Sequence, residues 1–228
     1  MTRPAPGHPL LTRRSSGVLL HLTSLPGRHG SGDLGVAARH FVDWLALAGQ
    51  TLWQILPLTP PGAGQSPYQS PSAFAGSPWL VDLDDLVACG WLKPLPDPHF
   101  DVRHCDFNRV IPYRLNALRA AWQGFVAHGS DADREALAAF TRSQADWLDD
   151  YALFMVLQDR HGPAWTRWPL ALARRDRQAL RVCERDHRVA RRGGPARAAD
   201  VDGADGKRDR AIHADIEVGT GLAAEIEP

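Results

Sequence analysis

The stretch QTLWQILPL, at Gln50–Leu58, is followed at Ser66–Gly76 by SPYQSPSAFAG. The first part is short and apolar, which predicts a buried β-strand. Pro57 ends that pattern because proline has no N–H for a strand ladder. The second part places hydroxyl groups, an amide and two aromatic rings among stiffening prolines. We therefore expect a strand that opens into a rigid polar and aromatic loop, which is how a barrel presents groups to a ligand.

The residues before this stretch predict the start of a parallel sheet. Gly17–Leu22 is a short apolar run that predicts a first strand, and Val36–Ala48 has the apolar spacing of a helix. Strand, helix and strand in this order predict a right-handed crossover between parallel strands. We expect Trp44 and Trp53 to lie in the core.

The residues after this stretch predict mainly helices. Arg109–Phe125 has helical spacing, and Ser130 or Asp131 is placed to cap a further helix that ends near Arg142. Gln144–Arg160 carries an apolar stripe at helical spacing and predicts another helix.

Three spaced motifs carry a resemblance to a known family. They are GVLLHLTSLP at 17–26, GSGDLG at 30–35 and SPYQSPSAFAG at 66–76. In this order they resemble the amino-terminal part of 4-α-glucanotransferases of the amylomaltase type, from about residue 16 to about residue 179. The resemblance implies an α/β fold: the first βαβ part of a (β/α)₈ TIM barrel of the α-amylase superfamily, with an inserted helical subdomain.

The resemblance divides the chain into four segments. We expect a loose leader at 1–16, the start of the catalytic barrel at 17–80, the helical subdomain at 81–180 and an aberrant tail at 181–228. The chain has 228 residues. A (β/α)₈ barrel alone usually needs about 250 residues, so we expect the barrel to be incomplete and the chain to be a truncated version of the enzyme.

The composition of the tail departs from the family pattern. From Arg181 to Pro228 the chain has no Trp, Phe or Tyr, and its one leucine is Leu222. Such a segment buries too little apolar surface to offset the entropy of ordering, which predicts disorder. Our hypothesis is a reading-frame shift between about residues 174 and 185. The alternative is a natural tail of mixed charge.

The resemblance also implies a retaining transfer of α-1,4-glucan segments between maltodextrins, with no cofactor and no metal. Such chemistry needs a nucleophilic carboxylate and a carboxylic acid about 5–5.5 Å apart. In the family these groups follow later barrel strands, so we expect no catalytic residue in this chain. The tail contains carboxylates to which we assign no catalytic role, namely Asp202, Asp205, Asp215 and Glu217.

The candidate substrate-binding residues are Tyr68, Ser66 and Gln69. The resemblance implies that Tyr68 packs near the sugar beside the cleaved bond, and an aromatic ring suits the apolar C–H face of a sugar. Ser66 and Gln69 carry groups able to hydrogen-bond sugar hydroxyls. The alternative is that Tyr68 and Gln69 only pin the loop through a buried hydroxyl and a buried amide, and for Gln69 we favour this alternative.

Other polar and aromatic residues predict structural roles. Asp33 follows a glycine-rich stretch, which predicts the role of a turn or cap residue rather than that of a ligand. His21 and His29 lack the spacing of metal ligands, so we expect core or loop positions. Trp165 and Trp168 offer rings for sugar stacking, although helix packing is the commoner use of such residues.

Composition bounds the partners and the compartment. Lys plus Arg and Asp plus Glu both number 26, which argues against a general nucleic-acid footprint. The sequence shows no apolar run of the roughly 18 residues that a membrane span requires. The three cysteines are odd in number and widely spaced, which favours a reducing cytoplasm over a disulfide framework.

Three readings of the function remain open from the sequence. The first is a 4-α-glucanotransferase by family that is inactive as this chain alone. The second is a maltodextrin-binding fragment without catalysis. The third is an inert product, because two barrel strands leave unpaired edges that favour aggregation.

Overall fold

The computed structural model describes residues 14–181, 183 and 223–225. A small sheet contains β1 (Gly17–Leu19), β2 (Leu52–Gln54) and β3 (Ala223–Glu225) in that spatial order. Strands β1 and β2 are parallel, and β3 runs antiparallel to β2. The parallel pair that the sequence predicted is therefore present.

The two parallel strands are shorter than the apolar runs that predicted them. Val18 lies opposite Trp53 in the register of β1 and β2. One further backbone bond, from the Leu20 N–H to the Gln54 carbonyl, extends the pairing. After Leu20 the chain turns into a 3₁₀ helix at Leu22–Ser24. Within the described residues, the chain that follows Gln54 therefore has no partner strand on that side.

The helices occupy most of the remaining described chain. Their bounds are α1 Val36–Leu47, α2 Leu83–Ala88, α3 Phe107–His128, α4 Asp131–Ser143, α5 Leu148–His161 and α6 Leu170–Ala173. Helix α3 is longer at both ends than predicted. Helix α5 begins later than predicted because Gln144–Trp147 form a turn, in which the Trp147 N–H donates to the Gln144 carbonyl.

Side-chain caps explain where several helices begin. Asp82 accepts from the backbone N–H groups of the first turn of α2, and Asp106 does the same for α3. Ser130 and Asp133 form a capping box at the start of α4, as the sequence signal at Ser130 predicted. Each cap satisfies N–H groups that the helix itself leaves unpaired.

Buried apolar residues form three clusters along the described chain. The first contains Leu22, Leu25, Ala38, Leu45, Trp53 and Leu80. The second contains Leu83, Leu86, Trp91, Leu92, Ala117, Leu118, Ala121 and Phe125. The third contains Leu157, Trp168 and Leu172. In the sequence, the first cluster ends at Leu80 and the second begins at Leu83, close to residue 81, where we placed the start of the helical subdomain. The division of the chain into a barrel start and a helical subdomain stays a prediction.

The prediction of a core position is right for Trp53 and wrong for Trp44. Trp53 is buried, and its indole N–H donates to the Leu20 carbonyl over 2.8 Å. Trp44 is 55 % exposed. Its neighbour Leu45 takes the centre of the buried face of α1, so Trp44 lies at the edge of that face and stacks on Phe41.

The expected disorder of the tail falls almost entirely outside the described residues. Of residues 181–228, only 181, 183 and 223–225 are described, and the last three form β3. The frame-shift hypothesis and the leader at 1–16 therefore stay predictions. Within the described residues, no helix is long and apolar enough to cross a bilayer.

The second cluster offers a test of its contribution to stability. Leu118 of α3 is fully buried, whereas Val126 on the same helix is 51 % exposed. We expect Leu118→Ala to lower the free energy of unfolding by about 2–5 kcal/mol, since it removes buried contacts and leaves a cavity. Urea unfolding measures this loss. Val126→Ala is the matched control, and equal losses in the two variants would contradict the assignment of Leu118 to the core.

Candidate functional site

The Ser66–Gly76 loop follows the carboxyl end of β2, and its first half is held by close backbone contacts. The Gln69 N–H donates to the Ser66 carbonyl over 3.1 Å. Gly62 lies against the same turn, because a Cβ atom there would stand 2.1 Å from the carbonyl oxygen of Gln69. Only glycine permits this approach, so the preceding GAG segment fixes the base of the loop.

Serine side chains hold the second half of the loop. The Ser70 hydroxyl accepts from the Ser72 N–H and donates to the Ser72 carbonyl. The Ser72 hydroxyl in turn accepts from the N–H groups of Phe74 and Ala75, at 3.1 and 3.0 Å. These bonds hold the backbone of the second half in defined turns, and the stiffness of the loop stays a prediction.

The three candidate sugar-binding residues lie together at the first turn of this loop. Tyr68 is 73 % exposed, and Gln69 is also exposed. The Ser66 hydroxyl accepts from the Tyr68 N–H over 3.4 Å, so it helps to shape the turn. The exposure of Tyr68 and Gln69 disfavours the alternative in which a buried hydroxyl and amide pin the loop. Their role in binding stays a prediction.

Sequence reasoning missed a buried ion pair between α3 and the loop that precedes α1. The Arg114 guanidinium is completely buried and donates to Asp33 over 2.6 Å and to the Val81 carbonyl over 3.1 Å. The other carboxylate oxygen of Asp33 accepts from the Gly35 N–H, which is the turn role that the sequence predicted. The pair joins residues 81 positions apart, and neither local motif contains a signal for it.

Burial governs the ionisation of this pair. It raises the pKa of Asp33 to about 6, while Arg114 and the Gly35 N–H favour the charged carboxylate and Asp82 opposes it. Burial also lowers the pKa of Arg114. Two further nitrogens of the Arg114 guanidinium, Nε and Nη1, have no hydrogen-bond partner within the described chain.

His29 has the structural role that the sequence predicted. Its ring is buried, with Nδ1 at 3.0 Å from the Tyr113 hydroxyl and Nε2 at 3.3 Å from an Asp84 oxygen. Burial lowers the pKa of His29 in spite of Asp84. Among residues that the structure describes, no three His, Cys, Asp or Glu side chains form a group able to hold a metal ion.

Comparison with known proteins gives the family. A family model described as 4-alpha-glucanotransferase matches residues 20–192. The chain belongs to the 4-α-glucanotransferase family.

Individual relatives agree with this assignment. A 4-alpha-glucanotransferase from Thermus thermophilus is 49 % identical over 169 residues, which are 74 % of this chain and 34 % of the relative. One from Synechocystis sp. is 45 % identical over 177 residues, 76 % of this chain and 35 % of the relative. The chain therefore spans about a third of the length of these relatives.

A solved structure is similar to the described fold. Amylomaltase from Streptococcus agalactiae in complex with acarbose superposes with a TM-score of 0.74 at 31 % identity, over 84 % of this chain and 38 % of that chain. The family match extends past residue 179, where we expected the resemblance to end, and past the interval 174–185 of the frame-shift hypothesis.

The ion pair predicts a pH dependence of stability. The pKa of Asp33 rises from 3.8 unfolded to about 6 folded, so its contribution to stability is full below 3.8 and is lost as pH rises through 6. When the pH falls from about 7 to about 4, we expect the free energy of unfolding of wild type to rise by about 2 kcal/mol relative to that of Asp33→Asn. Urea unfolding of both proteins at each pH measures this gain.

A matched control is Asp43→Asn, which changes an exposed carboxylate on α1. It corrects for the pH dependence of the other groups in the chain. A difference between wild type and Asp33→Asn that is the same at both pH values would contradict the raised pKa.

Proposed function

We propose that this chain contributes one wall of the sugar site of a 4-α-glucanotransferase, and that Tyr68 is the residue on which a glucose unit stacks. The complete reaction is the transfer of α-1,4-glucan segments between maltodextrins by a retaining double displacement. The observation that carries the proposal is the 73 % exposure of Tyr68 on a loop whose backbone is fixed on both sides of it.

The position of the loop supports this role. We propose that β1 and β2 are the first two strands of a (β/α)₈ barrel. In such barrels the active site lies at the carboxyl ends of the strands, and the Ser66–Gly76 loop follows the carboxyl end of β2. Tyr68 supplies an apolar ring there, Ser66 shapes the turn, and Gln69 adds an exposed amide that can donate to or accept from a sugar hydroxyl.

We further propose that the catalytic carboxylates lie outside this chain. Described carboxylates near the loops have structural partners: Asp33 pairs with Arg114, Asp82 caps α2 and Asp84 contacts His29. We take these contacts to occupy the carboxylates structurally, which disfavours a role as the nucleophile or the carboxylic acid of the reaction. The 228-residue chain is then inactive alone and retains glucan binding.

The partners follow from the same reasoning. We propose α-1,4-glucans as ligands, with no cofactor, no metal and no nucleic acid. The balance of 26 basic and 26 acidic residues provides no excess positive charge for a phosphate backbone. Cys105 and Cys183 are free thiols, which supports a cytoplasmic location.

Two assays test the proposal on the purified chain. Incubation with maltotriose, with detection of glucose and longer oligosaccharides, should give no products. Calorimetric titration with a maltodextrin should show saturable binding, and we expect Tyr68→Ala to weaken it about tenfold, equivalent to about 1.4 kcal/mol. Tyr68→Phe keeps the ring and should bind nearly as well as wild type.

The other outcomes separate the remaining readings. Transfer products would mean that the chain contains an acid pair, which contradicts the inactive reading. Failure of the folded wild-type chain to bind any maltodextrin would favour the inert product. Binding that is unaffected by Tyr68→Ala would remove Tyr68 from the site.

A further inference from the structure

Phe74 is a second exposed aromatic residue on the Ser66–Gly76 loop. Its side chain is 71 % exposed, although phenylalanine has no polar group that gains from contact with water. Its backbone is fixed, because its N–H donates to the Ser72 hydroxyl over 3.1 Å. The exposure therefore belongs to an ordered residue rather than to a loop end without contacts.

The ring of Phe74 stacks on Trp147, beside the start of α5. The ring centroids are 6.0 Å apart and the planes are inclined by 24°. The indole N–H of Trp147 donates to the Gln144 side chain over 2.7 Å, which fixes the orientation of the indole. Trp147 also lies 6.1 Å from the ring of Tyr151. Phe74 is the exposed member of this group of three aromatic rings.

We propose that the Phe74–Trp147 pair is a second sugar-stacking surface, which binds another glucose unit of the same glucan that contacts Tyr68. The inference rests on the proposed function, because it assigns the pair to the same ligand. It names a determinant of preferred glucan length, and it gives a binding role to Trp147, which directly precedes α5.

The spacing of the two aromatic positions suits one oligosaccharide. Phe74 lies six positions after Tyr68, so their Cα atoms are at most about 20 Å apart even in a fully extended chain. The turns at Ser66–Gln69 and Ser70–Ser72 shorten that distance. A maltooligosaccharide of several glucose units can therefore span both rings, and we expect a disaccharide bound at Tyr68 to be too short to contact the pair.

The chemistry of the surface suits a sugar. A glucose unit has a flat face of C–H groups and a rim of hydroxyls, so it stacks on an aromatic ring and keeps its hydroxyls in water or on nearby polar groups. The stack with Trp147 holds the Phe74 ring in place before binding, which lowers the entropy lost on association.

Titrations with maltose and with maltoheptaose test the inference. We expect Phe74→Ala to weaken maltoheptaose binding about two- to tenfold, in the range of one aromatic contact, and to leave maltose binding unchanged. Phe74→Trp should retain maltoheptaose binding because it keeps a ring. Tyr68→Ala should weaken both ligands. Trp44→Ala, which removes another aromatic residue that is 55 % exposed, should change neither.

A spectroscopic measurement separates binding from a merely structural effect. The indole N–H resonance of Trp147, assigned by its loss in Trp147→Phe, should shift on addition of maltoheptaose and not on addition of maltose. Unfolding midpoints equal to that of wild type establish that Phe74→Ala and Phe74→Trp are folded.

The outcomes distinguish this inference from the proposed function. If Tyr68→Ala weakens binding while Phe74→Ala binds both ligands like wild type, the inference is wrong and the proposed function stands. Loss of maltose binding in Phe74→Ala equal to the loss of maltoheptaose binding would also overturn it. If wild type binds neither ligand, the proposed function and the inference both fail.

Discussion

The buried contact between Arg114 and Asp33 joins helix α3 to the loop between β1 and α1. Removal of one partner from such a pair usually costs about 3–5 kcal/mol, because the other charge is left buried without a counter-charge. The same loop approaches α3 closely at Gly30, where a Cβ atom would stand 2.4 Å from a methyl group of Val110. The charge pair and this close contact together fix how α3 packs against the loop between β1 and α1.

The site depends on a different kind of constraint, which is local. Backbone bonds and serine hydroxyls shape the Ser66–Gly76 loop with little help from the rest of the chain. The loop can therefore present Tyr68 and Phe74 in a fixed arrangement without burying either ring. The exception is the contact of Phe74 with Trp147, the residue directly before α5. Stiffness from local bonds with exposure of the rings is the combination that a sugar-binding surface requires.

Membership of the 4-α-glucanotransferase family and possession of its activity are separate matters for this chain. The family match covers residues 20–192, and the chain corresponds to about a third of the length of its relatives. The proposed binding uses groups of one loop, whereas double displacement uses carboxylates that several strands bring together. The proposal therefore assigns glucan binding to this chain and leaves transfer to the complete enzyme.

The sequence alone determined the features whose causes are local. The βαβ start follows from the apolar runs at Gly17–Leu22 and Gln50–Leu58 with a helical period between them. The start of α4 follows from the capping signal at Ser130, and the sequence predicted a stiff Tyr68 loop from its prolines. In each case the residues responsible lie within a few positions of one another.

Tertiary structure decided the features that depend on residues far apart in the chain. The partner of Asp33 is 81 positions away, so its raised pKa has no signature in the GSGDLG motif. Trp44 has the same residue type as Trp53 but remains exposed, because Leu45 takes the centre of the buried face. The stack of Phe74 on Trp147 likewise joins two segments that only folding brings together. A sequence pattern records local spacing, whereas burial and charge pairing depend on which surfaces meet after the chain folds.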